Sequence, residues 1–267
     1  MKSFNFSSIV FLVSFLAALL SPQANAQESD QEVNGDVFIR TLGWGVSKSN
    51  LFYSTGGEYL PLTLSNRSLS GYHAYKGSSS FRIFRKVTDE NTGAVSFLPY
   101  LDTSLVASAN EQLLVFFQSP VNEDLIRIFA YEDSVELMDE KAVFVGNFSP
   151  LELAFQVNGE ERFGLKPGQS RIIDYSGNPQ AKVEIAAFRE NEWQVEYRST
   201  HRLRRGYRYY FLFRDMGGQS DLIKGLSPIV HQETIASVKN ALNNPDGESA
   251  TGRIEGSTVL FDPEAEL

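Results

Sequence analysis

The residues best equipped for chemistry lie in one stretch, HRLRRGYRYYFLFRD, residues 201–215, which gathers five arginines and three tyrosines in an otherwise acidic chain. Guanidinium groups at this density suit phosphate, carboxylate or sulfate, which they grip with paired hydrogen bonds. Strand alternation sorts the segment: Tyr207, Tyr209, Phe211 and Phe213 share one side, and Arg208, Tyr210, Leu212 and Arg214 share the other. The aromatic side is expected to be buried, with Arg208 and Arg214 on an outer side where Glu196 or Glu184 of an adjacent strand can pair with them. Residues 201–206 then form a hairpin connection crowded by Arg202, Arg204 and Arg205. Crowding like charge in a loop brings no folding benefit, so these three arginines are the candidate contact for an anionic envelope polymer or an acidic partner patch.

Other constellations are weaker. Residues 101–106, LDTSLV, look like the loop that presents an aspartic-protease carboxylate, but that chemistry needs two such aspartates and the chain has one such loop. Asp102 therefore reads as the start of a turn. The three histidines, His73, His201 and His231, never fall two or four residues apart, so none forms a one-element metal pair. Acidic groups at Asp89-Glu90 and around Glu132, Asp133, Glu136, Asp139 and Glu140 lack the ladder of a calcium loop and read as solvated loops. No cofactor is called for. Aromatic side chains offer a second kind of contact. Trp44, Phe52, Tyr53, Tyr72, Tyr75, Trp193 and Tyr210 include candidates for stacking on sugars or packing on a partner, Trp193 and Tyr210 being the two singled out.

The elements that must carry these residues are strands. Short β-branched or aromatic runs at 37–40, 59–64, 81–84, 94–98, 113–117, 126–129, 142–145, 153–157, 183–185, 193–197 and 207–213 are separated by Gly, Asn, Ser or Pro clusters. That spacing predicts antiparallel β-sandwich or barrel architecture, and the reading taken is a sandwich in two tandem modules at residues 36–134 and 135–217. Residues 165–170, LKPGQS, are a type II turn between two strands, with Pro167 pre-setting φ and Gly168 supplying the positive φ. Residues 232–242, QETIASVKNAL, are the one helical pattern, and 218–267 are expected to hold this helix and a poorly ordered acidic tail with a docked stretch at 258–261. A weak repeat supports the two modules: 62–68 can be laid over 143–149, 81–83 over 183–185, and 111–117 over 207–213.

Residues 1–26 read as a cleaved secretory signal, with Lys2, an apolar run at 9–20 and Ala24-Asn25-Ala26 before the cut, leaving 27–35 as a flexible N-terminus. The chain contains no cysteine, which leaves no site for a lipid anchor, a disulfide or a thiolate metal centre. Its formal net charge of −9 disfavours nucleic acid and anionic lipid as general partners, and no later run is apolar enough to span a membrane.

Motifs at 93–99 (GAVSFLP), 113–117 (LLVFF), 133–134, 146–150 (GNFSP), 165–170 (LKPGQS), and Trp193 followed by the arginine-tyrosine strand resemble a group of exported, uncharacterised proteins of Verrucomicrobia and related bacteria. The resemblance implies an exported β-sandwich and brings no catalytic residues. Signal, fold and charge together lead us to expect a periplasmic or secreted, non-catalytic binding or structural module of the bacterial cell envelope. Its partner would be an envelope polysaccharide or another envelope protein. The alternative is a secreted carbohydrate-active enzyme working through paired carboxylates.

Overall fold

A computed structural model describes residues 36–46, 48–118, 125–140, 142–159, 161–175, 179–215 and 226–245. The signal, the 27–35 segment and the 258–261 stretch lie outside the described residues. Mainly β structure is what these residues form: sixteen strands and one helix among the described residues, arranged as four sheets in two sandwich-like pairs.

The first half contains β1 (Val37–Trp44), β2 (Leu51–Thr55), β3 (Glu58–Pro61), β4 (His73–Tyr75), β5 (Ser80–Thr88), β6 (Val95–Ser104), β7 (Glu111–Gln118) and β8 (Ile126–Glu132). The second contains β9 (Ala142–Asn147), β10 (Leu153–Val157), β11 (Glu161–Leu165), β12 (Ser170–Asp174), β13 (Gln180–Arg189), β14 (Glu192–Arg202), β15 (Tyr207–Asp215) and β16 (Leu226–Thr234). Strand order is β4-β1-β7-β8 and β3-β2-β5-β6 in the first half, and β12-β9-β15-β16 and β11-β10-β13-β14 in the second. Adding eight to every strand number turns one half into the other. The match extends to the two parallel pairs, β1 with β7 and β9 with β15. It extends also to a register shift at the same place in each long hairpin, after Ile83 and after Ile185.

This topology corrects two of the three overlays. Residues 81–83 and 183–185 do correspond, since Phe81 and Ile83 face the first core and Val183 and Ile185 the second. The counterpart of β9, however, is β1 and not residues 62–68. Laying 111–117 over 207–213 would exchange faces, because Leu114 and Phe116 point into their core while it is Tyr209, Phe211 and Phe213 that do so in β15. A one-residue slip reverses a strand's faces.

Alternation builds three apolar layers from four sheets. One core lies between the two first-half sheets and one between the two second-half sheets. A third joins β1, β7 and β8 to β9, β15 and β16, through Leu42, Trp44, Leu113, Val115, Phe144 and Leu212 among others. The inner sheets are thus covered on both faces, which explains the nearly continuous apolar run of β7.

Turns follow local chemistry. Gly56-Gly57 and Glu190-Asn191 carry positive φ at both central positions, the type I′ geometry that matches strand twist in two-residue hairpins. Gly168 has a φ of 78°, as a type II turn requires, and a Cβ there would stand 2.7 Å from the Phe129 ring of the other half. The turn is therefore also part of the contact between halves, and Tyr131 donates a hydrogen bond to the Gly168 carbonyl at 2.9 Å.

Three further expectations are corrected. Residues 226–234 are a strand pairing with β15 along its whole length, so the second half extends past residue 217. Pro228 is tolerated because β16 is an edge strand. The helix α1 spans Ile235–Asn243 and begins where Thr234 accepts from the Ser237 amide, three residues later than the sequence periodicity suggests. Asp102 sits inside β6 opposite Arg82 and starts no turn.

Because the central layer belongs to both halves, Leu212→Ala, which empties part of it, is expected to cost about 2–5 kcal/mol in urea denaturation and to leave one cooperative transition.

Candidate functional site

Arg208 lies on the face of β15 opposite Tyr209, as alternation requires, but that face is closed by the first half. The outcome is a ring of four charges. Arg40 on β1 and Asp133 just after β8 come from the first half; Arg208 on β15 and Glu233 on β16 come from the second. Arg40 Nε reaches Asp133 Oδ2 at 2.5 Å, and its two terminal nitrogens hold Glu233 at 2.8 and 2.7 Å. Arg208 Nη2 donates to Asp133 Oδ1 at 2.6 Å and to the Asp133 carbonyl at 2.8 Å. The Tyr210 hydroxyl accepts from Arg40 and lies 2.8 Å from Asp133 Oδ1 and 3.1 Å from Glu233 Oε1. Having one proton, it donates to one of them at a time.

The ring is neutral, and every member is buried. Burial opposes the charge of Arg40 and Arg208, yet the facing carboxylates, Asp133 foremost, outweigh it and hold both guanidinium pKa values above their ordinary value. Burial would likewise raise Glu233, but Arg40 and then Arg208 hold it down at about 2. The tyrosine hydroxyls of Tyr72 and Tyr210 are pushed up by burial and stay protonated. Arg40 also lies over the Tyr72 and Tyr210 rings, 5.1 and 5.3 Å from their centroids. Such a ring has no free acid or base to offer a substrate. It orients the two halves.

The expected pairings of β15 are thereby replaced. Glu184 pairs with Arg198 at 3.5 Å and Glu196 with Arg189, while Arg214 packs over Trp44 at 5.7 Å. Tyr210 is fully buried and cannot be a surface contact. Trp44, Tyr53, Tyr72 and Tyr75 are core as well, whereas Trp193 is 49% exposed. Arg202, Arg204 and Arg205 are exposed, as expected, but 203–206 is a crossing between sheets and not a hairpin loop, because β14 and β15 belong to different sheets. Tyr209 and α1 shape this crossing: the Arg204 amide donates to the Tyr209 hydroxyl at 2.6 Å, and the Ile235 amide to the Gly206 carbonyl at 3.0 Å.

Among the described residues, two hollows that open to solvent bear on function. One, of 760 Å³, runs beside α1 and is lined by Glu111, Glu136, Asp139, Glu140 and Lys239. Burial raises Glu111 from the ordinary carboxylate value. Among the described residues no three His, Asp or Glu side chains gather to hold a metal ion.

The other hollow, of 540 Å³, crosses the outer face of the sheet β11-β10-β13-β14. Leu153, Phe155 and Val157 point into the core, so Ala154 and Gln156 point out. Paired residues share a face, which places Gly164, Ala154, Ala186 and Val195 in one row across all four strands. Arg162, Gln156, Glu184 and Arg198 form the next row on one side, and Phe188 beside Trp193 lies on the other, their rings 5.2 Å apart. Sequence reasoning found Trp193 and missed the hollow, whose floor is four small residues spread over forty-two positions of chain.

No protein-family model and no curated protein matches the chain.

Removing one partner of a buried ion pair strands the other. Asp133→Asn is expected to cost about 3–5 kcal/mol in chemical denaturation. Glu233, held at about 2, contributes stability above the unfolded carboxylate value of about 4.3 and loses it as pH falls toward 2. His73, lowered by burial to about 4, adds a loss that starts earlier, as the unfolded chain takes up its proton below about pH 6.5. Denaturation midpoints measured from pH 7 to pH 2.5 should fall in both windows, and Glu233→Gln should flatten the lower one.

Proposed function

We propose that this protein is an exported, non-catalytic binding module of the bacterial periplasm or cell envelope. One observation carries the reading. The ionisable groups most able to do chemistry, Arg40, Asp133, Arg208 and Glu233, are consumed by one another inside the molecule, while Phe188, Trp193 and Val195 stand exposed on an outer sheet. Phe188, Trp193 and Val195 are neighbours on one face, so they form a contiguous apolar patch, which marks a contact surface more than isolated exposed side chains do. The acidic net charge supports a partner other than nucleic acid or anionic lipid. Mature protein is expected to co-sediment with isolated envelope material, and Trp193→Ala to reduce the bound fraction while leaving the melting temperature unchanged. Equal recovery in the supernatant with and without envelope would defeat the reading. Replacing Arg204 and Arg205 by Ser tests the basic crossing separately from the β14 face that carries Arg202; unchanged retention would remove the crossing from the contact.

The hollow beside α1 favours a second reading, a carbohydrate-active enzyme, because it gathers Glu136, Asp139 and Glu140 around open space. Under that reading the protein releases reducing ends from envelope polysaccharide and Glu140→Gln abolishes the release. No release by the wild type rules it out.

A further inference from the structure

The two halves share every strand pairing, so the residues at equivalent positions on their outer sheets can be compared directly. In the first half the row after the register shift reads Pro61, Phe52, Phe84 and Pro99. In the second it reads Gly164, Ala154, Ala186 and Val195. The first row is filled: Phe52 and Phe84 join Tyr59 and Phe97 in an aromatic cluster, with Tyr59 stacked 4.1 Å from Phe97. The second row is emptied to hydrogen, methyl and isopropyl groups, and the 540 Å³ trough is the space left. Packing within the sheet does not demand this, since the same scaffold accepts large side chains there.

The walls of the trough differ chemically. Arg162, Gln156 and Glu184 line one side with donors and acceptors, Arg198 standing next to them in the same row. On the other side, one row beyond Ala186 and Val195, the exposed Phe188 and Trp193 rings lie tilted 55° to each other. Beyond them the outer face continues through Lys182 and Thr200 to Arg202, all exposed. Four outward cations, Arg162, Lys182, Arg198 and Arg202, thus meet Glu184 and, beside Gly164, Glu152. Exposed Glu190 and Glu192 lie at the opposite, hairpin end. A chain of net charge −9 therefore carries a locally basic track that starts from an aromatic pair. From Trp193 to Arg202 the strand extends on the order of 30 Å.

Resting on the binding reading above, we propose that this trough binds an anionic polysaccharide strand, with sugar rings against Phe188 and Trp193 and acidic groups along Arg198, Lys182 and Arg202. Sugar rings present C–H faces that stack on aromatics and hydroxyls that bond to guanidinium, amide and carboxylate groups. Their acid groups meet the basic track, and an elongated open site suits a polymer better than a small molecule.

The test is affinity gel electrophoresis of the mature protein in polygalacturonate and in neutral hydroxyethylcellulose. Wild type should be retarded by polygalacturonate only. The double variant Ala154→Phe with Ala186→Phe rebuilds the filled row of the first half and should abolish the retardation. Arg198→Ser with Arg202→Ser, and separately Trp193→Ala, should weaken it about tenfold. All these positions face solvent, and an unchanged melting temperature checks each fold. Wild type unretarded by polygalacturonate overturns the proposal, as does retardation that survives filling the trough. Envelope co-sedimentation in a protein that ignores polygalacturonate would sink the trough and leave the binding reading standing; loss of both would sink both.

Discussion

Four charges taken out of water hold this molecule's halves in register. Each half contributes one arginine and one carboxylate, and each carboxylate is gripped by an arginine of its own half or of the other. Neither half can bury its own pair without the other's sheet to cover it. Isolated, each would present a wet ion pair on an apolar face containing Leu42, Trp44 and Leu113, or Phe144, Tyr210 and Leu212. Burying charge is costly unless hydrogen bonds replace the lost water, and here the Tyr210 hydroxyl and the Asp133 carbonyl supply part of that replacement. The ring is accordingly better described as setting which way the halves meet than as the source of most of the stability, which lies in the three apolar layers.

Once the inner sheets are spent on each other, only the outer sheets remain free to differ. They differ in side chains while their strand order is the same. One outer face is closed by Phe52, Phe84, Phe97 and Tyr59, and the other is opened by Gly164, Ala154 and Ala186. A stack of four sheets with a trough on one outer face separates the work of folding from the work of contact. Each can then change without disturbing the other.

Much of the fold was legible because alternation is local. The faces of β15 follow from the sequence, and Tyr209, Phe211 and Phe213 do lie in the second core. What covers the opposite face is not local. Arg208 reads as solvent-facing from its neighbours in sequence, and its partner Asp133 lies seventy-five residues away. Tyr210 looked like a surface aromatic for the same reason. β16 escaped notice because Pro228, His231 and Glu233 break its apolar pattern, yet Glu233 is polar only because the ring needs it. Trp193 could be picked out by residue type alone. The trough beside it could not, since its floor exists only after four strands are aligned.

The central claim is that charges from different halves are energetically coupled across the interface. A double-mutant cycle on Arg40→Met and Glu233→Leu, followed by urea denaturation, measures that coupling directly. The account predicts that the double variant is less destabilised than the sum of the single ones by about 1–3 kcal/mol, because each single change strands a buried charge that the other would remove. Costs that add to within about 0.5 kcal/mol would contradict it.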